Sequence, residues 1–437
     1  MKESRYRSWG GYPRTQQEPH VLNWLSDNWP KQTNKSLLPF GNGRSYGDSC
    51  LNNQGILLDA RGLDHFIDFD VDKGILRCEA GVLLSEILDL IVPKGWFLPV
   101  TPGTKYVTIG GAIANDVHGK NHHRNGTFGR FVKQFELQRS DGTRLICSPT
   151  ENTAMFEATI SGLGLTGLIL WAEIELQKIH TPYMNVESIR FANLDEFFEL
   201  SEESNDLYEY TVAWIDCLAK GNVLGRGFFM RANHAVEMPT SPPTAPSRKL
   251  SIPIELPFPL LNSYTLKTFN TLYYNKQFIR RWQGDQHYDP FFYPLDGINH
   301  WNRMYGKEGF VQYQCVVPHA HGKEVIRNIL SEISRARSGS FLSVLKVFGD
   351  SPSPGMLSFP QPGVTLALDF PNKHKNTFEL LDNLDILLKN AGGRLYPAKD
   401  ARMTARNFKL FYPNWEKFSQ YIDPRFSSSF WRRVTDE

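Results

Sequence analysis

The chain has 437 residues, of which 41% are hydrophobic, 22% charged and 13% aromatic, a composition typical of a globular protein with about two or three domains. The net charge of +2 is too balanced to indicate the clustered basic surface that a nucleic-acid partner requires, so we expect no such partner. The sequence has no apolar stretch of about 18 residues and no secretory signal, which predicts a cytoplasmic protein without a membrane span.

The predicted elements begin after an irregular lead-in over residues 1–35, whose tryptophans indicate that part of it packs onto the body. Short apolar runs over residues 55–81 predict successive strands, with turns at Arg61-Gly62 and Asp72-Lys73-Gly74. The next segment, residues 82–96, carries apolar side chains on one helical face and predicts a helix.

A hairpin is predicted over residues 131–148, because two apolar runs flank Asp141-Gly142. Residues 168–177 predict a further strand. The alternation of strands and helices predicts an α+β domain that extends to about residue 180.

The second half of the chain contains a Pro- and Ser-rich segment at about residues 237–260, which predicts an exposed, mobile loop. A strand–helix–strand–strand–helix series follows at residues 311–318, 324–337, 341–349, 363–371 and 378–393. This order predicts an antiparallel sheet with helices on one face.

The first of two glycine-rich segments is PFGNGRSYGD, residues 39–48. Glycines at 41, 43 and 47 allow sharp turns and let backbone N–H groups converge on a phosphate, while Arg44 and Ser45 add donors. A plain glycine turn between strands remains the alternative for this segment taken alone.

The second segment, residues 101–129, strengthens the phosphate-binding interpretation. Its small residues from Thr108 to Gly111 allow close backbone approach to a flat ligand, and a helix beginning near Ala112 would favour a pyrophosphate at its N-terminus. The sequence has no P-loop, and no GxGxxG spacing follows a first strand as a Rossmann dinucleotide fold requires.

We predict no metal site from the cysteines or histidines. The five cysteines (Cys50, Cys78, Cys147, Cys217 and Cys315) form no CxxC pair, which indicates reduced thiols. His118, His122 and His123 lie close in sequence but lack evident further ligands. We expect His122 and His123 to be exposed loop residues, whereas His118 follows the small-residue run and is a site candidate.

Together with a third segment, GLGLTG at residues 162–167, these loops resemble the FAD-contacting segments of the vanillyl-alcohol oxidase/p-cresol methylhydroxylase superfamily. Within it, the motifs GRSYGD, NDVHGKNHH and GGRLYPAKDAR resemble the decaprenylphosphoryl-β-D-ribose 2-oxidase family, over about residues 37–415. The resemblance implies a two-domain FAD-binding PCMH-type fold. Residues 1–182, completed by 394–437, would form the FAD domain, and residues 183–393 a substrate domain built on an antiparallel sheet flanked by helices.

The resemblance also implies which residues contact FAD. They are Phe40, Gly41, Asn42, Gly43, Arg44, Ser45, Tyr46, Gly47, Asp48, Ser49, Gly103, Thr108, Ile109, Gly110, Gly111, Asn115, Asp116, Val117, His118, Ile169 and Tyr396. Many relatives carry a histidine bonded to the flavin at the position of Arg44. Arginine cannot form that bond, so we predict non-covalent FAD.

For the substrate, the resemblance implicates Tyr46, His118 and Lys399 in catalysis. It implicates Lys120, Gln312, Gln314, Lys346 and Lys399 in substrate binding. Lys399 could stabilise developing negative charge or act as a general base, and the second role requires a depressed pKa. Ala367 stands where the mycobacterial pattern has a cysteine that nitroaromatic inhibitors modify, so such inhibition should fail.

The implied reaction is oxidation of the 2-hydroxyl of a polyprenylphosphoryl-β-D-ribose to a 2-keto sugar. A short-chain NAD(P)H-dependent reductase would be the partner, completing an epimerisation to arabinose for the cell envelope. A lipid-linked substrate is compatible with peripheral contact at the inner membrane, although no amphipathic anchor is evident in the sequence. The alternatives are an aldonolactone or alditol oxidase that uses oxygen, and a non-catalytic flavin- or lipid-binding protein.

Overall fold

Strands on both sides of residue 180 form sheets in the computed structural model, which describes residues 6–30, 34–241, 250–252, 263–373 and 375–436. Within these ranges, one antiparallel sheet has five strands. Their spatial order is Phe66–Asp70, Ile75–Glu79, Leu168–Glu175, Val132–Gln138 and Arg144–Cys147. The predicted strands over 55–81, the hairpin around Asp141-Gly142 and the strand beginning at Leu168 are therefore confirmed.

A small parallel sheet carries the first glycine-rich segment. In the described residues its strands are, in spatial order, Glu18–Val21, Ile56–Asp59 and Leu37–Phe40. The strand Glu18–Val21 lies in the predicted irregular lead-in, and that prediction was wrong there. The strand is an edge with largely exposed side chains, so it has no hydrophobic alternation to reveal it.

Among the described residues, the helices before residue 180 are short, and the longest carries the predicted apolar face. They are Leu84–Ile91, Ile109–Ala114, His122–Asn125 and Thr153–Thr159. Leu84, Ile87, Leu88 and Ile91 are fully buried, which confirms the predicted apolar face. Pro93 follows in a turn of 3₁₀ helix.

A long antiparallel sheet occupies the second half, with eight strands among the described residues. Their spatial order is Arg281–His287, Tyr183–Phe191, Gly227–His234, Tyr210–Ile215, Ser343–Phe348, Gly363–Pro371, Phe310–Pro318 and Arg394–Leu395. The helices Leu194–Ser204, His319–Ala336 and Lys375–Asn390 bury their apolar side chains against one face of it. The predicted antiparallel sheet with helices on one face is confirmed.

Other elements connect these sheets. The remaining helices are Ser263–Asn275, Tyr288–Phe292, Ala405–Phe411, Trp415–Ser419 and Ser429–Thr435. Short strand pairs join Trp96–Phe97 to Gln177–Lys178 and Leu250–Ser251 to Ile298–Asn299. Of the predicted loop at 237–260, residues 242–249 and 253–260 lie outside the described residues.

The C-terminal segment returns to the first glycine-rich loop. Arg433 donates to both carboxylate oxygens of Asp48, at 2.9 and 2.6 Å, and also to Asp400 at 2.9 Å. The division into an FAD domain and a substrate domain stays a prediction. Within the described ranges, no helix is long and apolar enough to cross a bilayer.

Candidate active site

A cavity of about 510 Å³ lies between the glycine-rich loops and the face of the eight-stranded sheet that the helices leave uncovered. One wall comes from the first and second glycine-rich segments and from Ile169. The opposite wall comes from side chains of the strands Phe310–Pro318 and Ser343–Phe348, including Gln312, Gln314 and Lys346. Its size is within the usual range for a cofactor or ligand site.

The first loop is fixed by its glycines and by the second loop. Gly43 has a φ of +59°, a conformation that side-chain-bearing residues rarely adopt, and a Cβ there would lie 2.5 Å from the carbonyl oxygen of Arg7. The Asn42 amide donates to the carbonyl oxygen of Tyr106 at 2.8 Å. The two loops predicted to share one ligand are therefore in direct contact.

The second loop presents backbone to the cavity at Gly103 and Gly111. A Cβ at Gly103 would meet nothing within 4 Å, and one at Gly111 would meet only Thr108 Oγ1. Thr108 caps the following helix by accepting the Gly111 N–H at 3.1 Å. The helix therefore begins at Ile109, three residues before the predicted start at Ala112.

Arg44 lies in the cavity wall between aromatic rings. Its guanidinium carbon is 4.1 Å from the ring centre of Trp9 and 5.5 Å from that of Tyr106. Burial lowers the pKa of Arg44, and the nearby carboxylate of Asp296 opposes that effect. A guanidinium buried beside these rings offers a fixed positive charge to the cavity.

Most predicted FAD contacts line the cavity, and Tyr396 joins them from the C-terminal return. The lining residues of the predicted set are Phe40, Gly41, Asn42, Gly43, Arg44, Ser45, Tyr46, Ser49, Gly103, Thr108, Gly110, Gly111, Asn115, Val117, His118, Ile169 and Tyr396. The Tyr396 hydroxyl donates to the carbonyl oxygen of Asn115 at 2.9 Å, which ties this segment to the second loop.

Gly47, Asp48, Ile109 and Asp116 are absent from the cavity lining and hold the surrounding loops in place. Asp48 pairs with Arg433, and Ile109 is fully buried in the core. Asp116 accepts the backbone N–H of Gly129 at 2.9 Å and also hydrogen-bonds a serine hydroxyl. These positions lie next to cavity residues in the sequence, so a motif alone does not distinguish them.

Three lysines predicted to bind substrate line the cavity and are partly buried, and desolvation is the main cause that lowers each pKa. The pKa of Lys120 falls to about 8, and those of Lys346 and Lys399 fall to about 7. The Lys120 ammonium donates to the carbonyl oxygen of Phe292 at 3.0 Å. The Lys399 nitrogen lies 3.7 Å from the ring centre of Tyr46.

His118 connects the second loop to the sheet. Its Nε2 lies 3.0 Å from the side-chain amide of Gln314, and its Nδ1 lies 3.3 Å from the Lys346 nitrogen. Burial holds the pKa of His118 well below its usual value, and the charges of Lys346, His122 and Lys399 lower it further. The imidazole is therefore neutral at physiological pH.

The prediction that His122 is exposed was wrong. Its ring is 2% exposed and packs 4.2 Å from the ring centre of Phe348, in the short helix His122–Asn125. His123 is partly buried, and its Nε2 contacts the carbonyl oxygen of Tyr208 at 3.0 Å. The aromatic packing comes from distant strands, which local sequence does not show.

Among the described residues, Asp64, His65 and Glu79 are the one group with a metal-like clustering of ligand atoms. His65 and Glu79 are already paired at 2.8 Å, and none of the three lines the cavity. His118, His122 and His123 do not join this group.

Sequence reasoning missed Asp369, which lies beside Gln312 on the same face of the sheet. The two residues are opposite each other in adjacent strands, and the Gln312 amide donates to Asp369 Oδ1 at 2.5 Å. Burial raises the pKa of Asp369 to about 7, against the opposing effects of Gln312 and Lys399. An aspartate at an inward position of a buried strand was the available signal.

The cavity fits an FAD. Gly103 and Gly111 leave backbone open to it, and Arg44 places a cation in its wall. In the part of the chain that the structure describes, the Ser49 hydroxyl and the Nε of Arg44 are buried without a hydrogen-bond partner. Such donors suit the phosphates and polar edges of a dinucleotide.

Comparison with known proteins gives matches to an FAD-binding family model, to oxidases and to a reductase. A family model described as an FAD binding domain matches residues 28–148. The chain is 35% identical over 431 residues to the decaprenylphosphoryl-β-D-ribose oxidase of Mycolicibacterium smegmatis, which covers 95% of this chain and 93% of that protein. The human Δ24-sterol reductase is 32% identical over 110 residues, covering 25% of this chain and 21% of the reductase. The mouse L-gulonolactone oxidase is 26% identical over 176 residues, covering 39% and 40%.

Proposed function

Because this chain belongs to the decaprenylphosphoryl-β-D-ribose oxidase family of FAD-dependent oxidoreductases, with an FAD-binding domain of the PCMH type, we propose that it oxidises the 2-hydroxyl of a polyprenylphosphoryl-β-D-ribose. The product is the 2-keto sugar. The observation that carries the proposal is one cavity containing both a glycine-rich dinucleotide cradle and partly buried lysines beside an aromatic-lined sheet face. When bound, FAD accepts the hydride that leaves the sugar carbon.

Lys399 is the general base in this proposal. With its pKa lowered to about 7, the lysine is divided between amine and ammonium at neutral pH, so the amine can take the hydroxyl proton. The backbone N–H of Tyr46 donates to the carbonyl oxygen of Ala398 at 2.9 Å, which fixes the start of the Lys399 turn beside the first loop.

The other polar residues orient the sugar. Gln312 and Gln314 carry amides at the sheet face, and His118 is held neutral beside Gln314 and Lys346. Lys120 offers a cation for the substrate phosphate or hydroxyls, since its pKa of about 8 leaves it mostly protonated at pH 7. A neutral imidazole and neutral amides can bind hydroxyls without placing another charge beside Lys399.

The apolar part of the cavity favours a lipid-linked substrate over a free alditol. Trp214, Met230, Phe269 and Tyr273 line it, and the last two belong to the helix Ser263–Asn275. A free polyol has no apolar surface to bury against these residues, whereas a polyprenyl chain does.

Peripheral contact with an anionic bilayer is part of the proposal. The apolar edge, which we define as Leu272, Phe278, Ile279 and Trp282, has side chains 68%, 90%, 58% and 41% exposed. Lys276, also exposed, lies among them, so apolar and cationic groups suit a negatively charged lipid surface. The edge continues from the helix that lines the cavity, which gives the lipid chain a short route to the membrane.

Vesicle flotation tests this contact. We expect the wild type to float with anionic vesicles and Phe278→Ser/Ile279→Ser to remain in the dense fraction. The control Lys417→Ala, at an exposed position on the helix Trp415–Ser419, should float like the wild type. Equal flotation of the double variant would contradict contact through this edge.

The chemistry of the product implies a partner. A 2-keto sugar must be reduced from the opposite face to give the arabinose configuration, so we propose a short-chain NAD(P)H-dependent reductase as the enzyme that consumes it. The pair would supply arabinose precursor for the cell envelope.

Isotope substitution tests the reaction. Flavin reduction under anaerobic conditions should show a primary kinetic isotope effect with deuterium at C2 of the lipid-linked ribose and none with deuterium at C3. An isotope effect at C3 alone, or reduction of the flavin by aldonolactones but not by the lipid-linked sugar, would refute the proposed substrate position.

A further inference from the structure

Asp369 is a buried acid beside the cavity-lining Gln312, and the proposed reaction leaves it without a role. It lies on the strand Gly363–Pro371, is 0% exposed, and does not itself line the cavity. Its backbone N–H donates to the Ser340 hydroxyl at 3.1 Å, so the residue is fixed at both backbone and side chain. A buried carboxyl is costly unless it is paired or neutral, which calls for a reason in this position.

The partners of Asp369 are all active-site residues or their supports. Oδ1 accepts from Gln312, whereas Oδ2 is buried without a hydrogen-bond partner in the part of the chain that the structure describes. The Gln312 side chain also lowers the pKa of Tyr46 against the effect of burial, and the Lys399 nitrogen lies 3.7 Å from the ring centre of Tyr46. The carboxyl therefore stands at the end of a chain of contacts that leads through Gln312 and Tyr46 to Lys399.

We propose that Asp369 is a positioning residue that fixes the orientation of Gln312 and provides the counter-charge that sets the protonation state of Lys399. This inference deepens the proposed function and rests on its assignment of Lys399 as the base. Asp369 acts through Gln312 and Lys399 and does not touch the substrate.

The charges around the two groups define the direction of the effect. The titratable groups that interact electrostatically with Asp369 are Lys399, Tyr46 and Tyr305. Both tyrosines are neutral, because burial raises the pKa of each. A negative charge on Asp369 favours the ammonium form of Lys399 and so raises its pKa, against burial. The charge of Lys399 in turn lowers the pKa of Lys346 and His118, so Asp369 influences the charge of the whole sugar site.

Asp369→Asn tests the proposal because it keeps the size and the acceptor for Gln312 but removes the charge. In FAD-loaded protein with ¹³Cε-labelled lysine, with the Lys399 signal assigned by Lys399→Arg, we expect the pKa of Lys399 to fall by about one pH unit. Asp72→Asn, in the exposed turn between Phe66–Asp70 and Ile75–Glu79, is the control and should leave it unchanged. Asp369→Ser carries the same expectation should the asparagine variant not fold.

The pH profile of flavin reduction is the second readout. The rising limb should move to lower pH in Asp369→Asn by the same amount, because Lys399 loses its proton earlier. An unchanged Lys399 pKa, or a rate lowered equally at every pH with the limb in place, would overturn the proposal. The NMR titration needs no substrate, so it tests the effect of Asp369 on the Lys399 pKa independently of the reaction. A failure of lipid-linked ribose to reduce the flavin would refute the proposed function without changing the outcome of that titration.

Discussion

Gly47 and Gly103, both in the predicted set of FAD contacts, are expected to respond in different ways to substitution by alanine. A Cβ at Gly47 would lie 1.7 Å from the carbonyl oxygen of Asp400 and 3.0 Å from the Cα of Ala401. Backbone lies on both sides of this contact, so Gly47→Ala must push the first loop away from the Lys399 turn, at a cost of about 3 kcal/mol. A Cβ at Gly103 would meet nothing within 4 Å but would project from the cavity wall.

We therefore expect Gly47→Ala to lower the thermal unfolding midpoint of the apoprotein by several degrees. Gly103→Ala should change apoprotein stability by less than about 0.5 kcal/mol, as an ordinary open-site substitution does. Its effect should appear on adding FAD, because the new methyl group would clash with the cofactor. A clash that costs about 1.4 kcal/mol of binding free energy raises the Kd for FAD about tenfold.

The assay is differential scanning fluorimetry of apo and FAD-loaded proteins, with Kd taken from the quenching of flavin fluorescence. Stabilisation by FAD follows its affinity, so Gly103→Ala should show a smaller FAD-induced rise than the wild type. The reasoning is refuted if Gly47→Ala leaves the apoprotein unchanged, or if Gly103→Ala binds FAD as tightly as the wild type.

Four further predictions concern the cofactor, the base and the sheet face. Acid precipitation should release the flavin into the supernatant, because Arg44 cannot form the bond that a histidine forms; yellow colour in the pellet would contradict this. Lys399→Ala should retain FAD and lose flavin reduction by about a hundredfold or more, with Lys417→Ala unaffected; a rate within a few-fold of the wild type would exclude Lys399 as the base. In the wild type the reduction rate should rise through about pH 7, as Lys399 loses its proton, and a rate that falls there would mean that the ammonium is the active form. Ala367 lines the cavity opposite Gln314, so a nitroaromatic inhibitor should leave the wild type unmodified by mass spectrometry and add to Ala367→Cys; adducts on the wild type would contradict the assignment.

Local sequence predicted the elements whose signals are local. The apolar face of Leu84–Ile91 and the glycine turn at Asp141-Gly142 belong to segments where propensity and burial agree. The edge strand Glu18–Val21 was missed because its stability comes from pairing with Ile56–Asp59, which is a distant partner.

The candidate site divides in the same way. The motifs placed Arg44, His118 and Lys399 in the predicted set, and all three line the cavity. The motifs could not distinguish Gly103 from Gly47, because the two differ in their three-dimensional surroundings. A Cβ at Gly103 would meet open space, whereas one at Gly47 would meet the backbone of Asp400. Asp369 and the packing of His122 on Phe348 depend on strand register between segments far apart in the chain, which no local pattern contains.

Anaerobic titration of the flavin absorbance tests the central claim most directly. Stoichiometric polyprenylphosphoryl-β-D-ribose should bleach the purified FAD-loaded protein, and the same concentration of free alditol or aldonolactone should not. Bleaching by the free polyols with no response to the lipid-linked ribose would contradict the account.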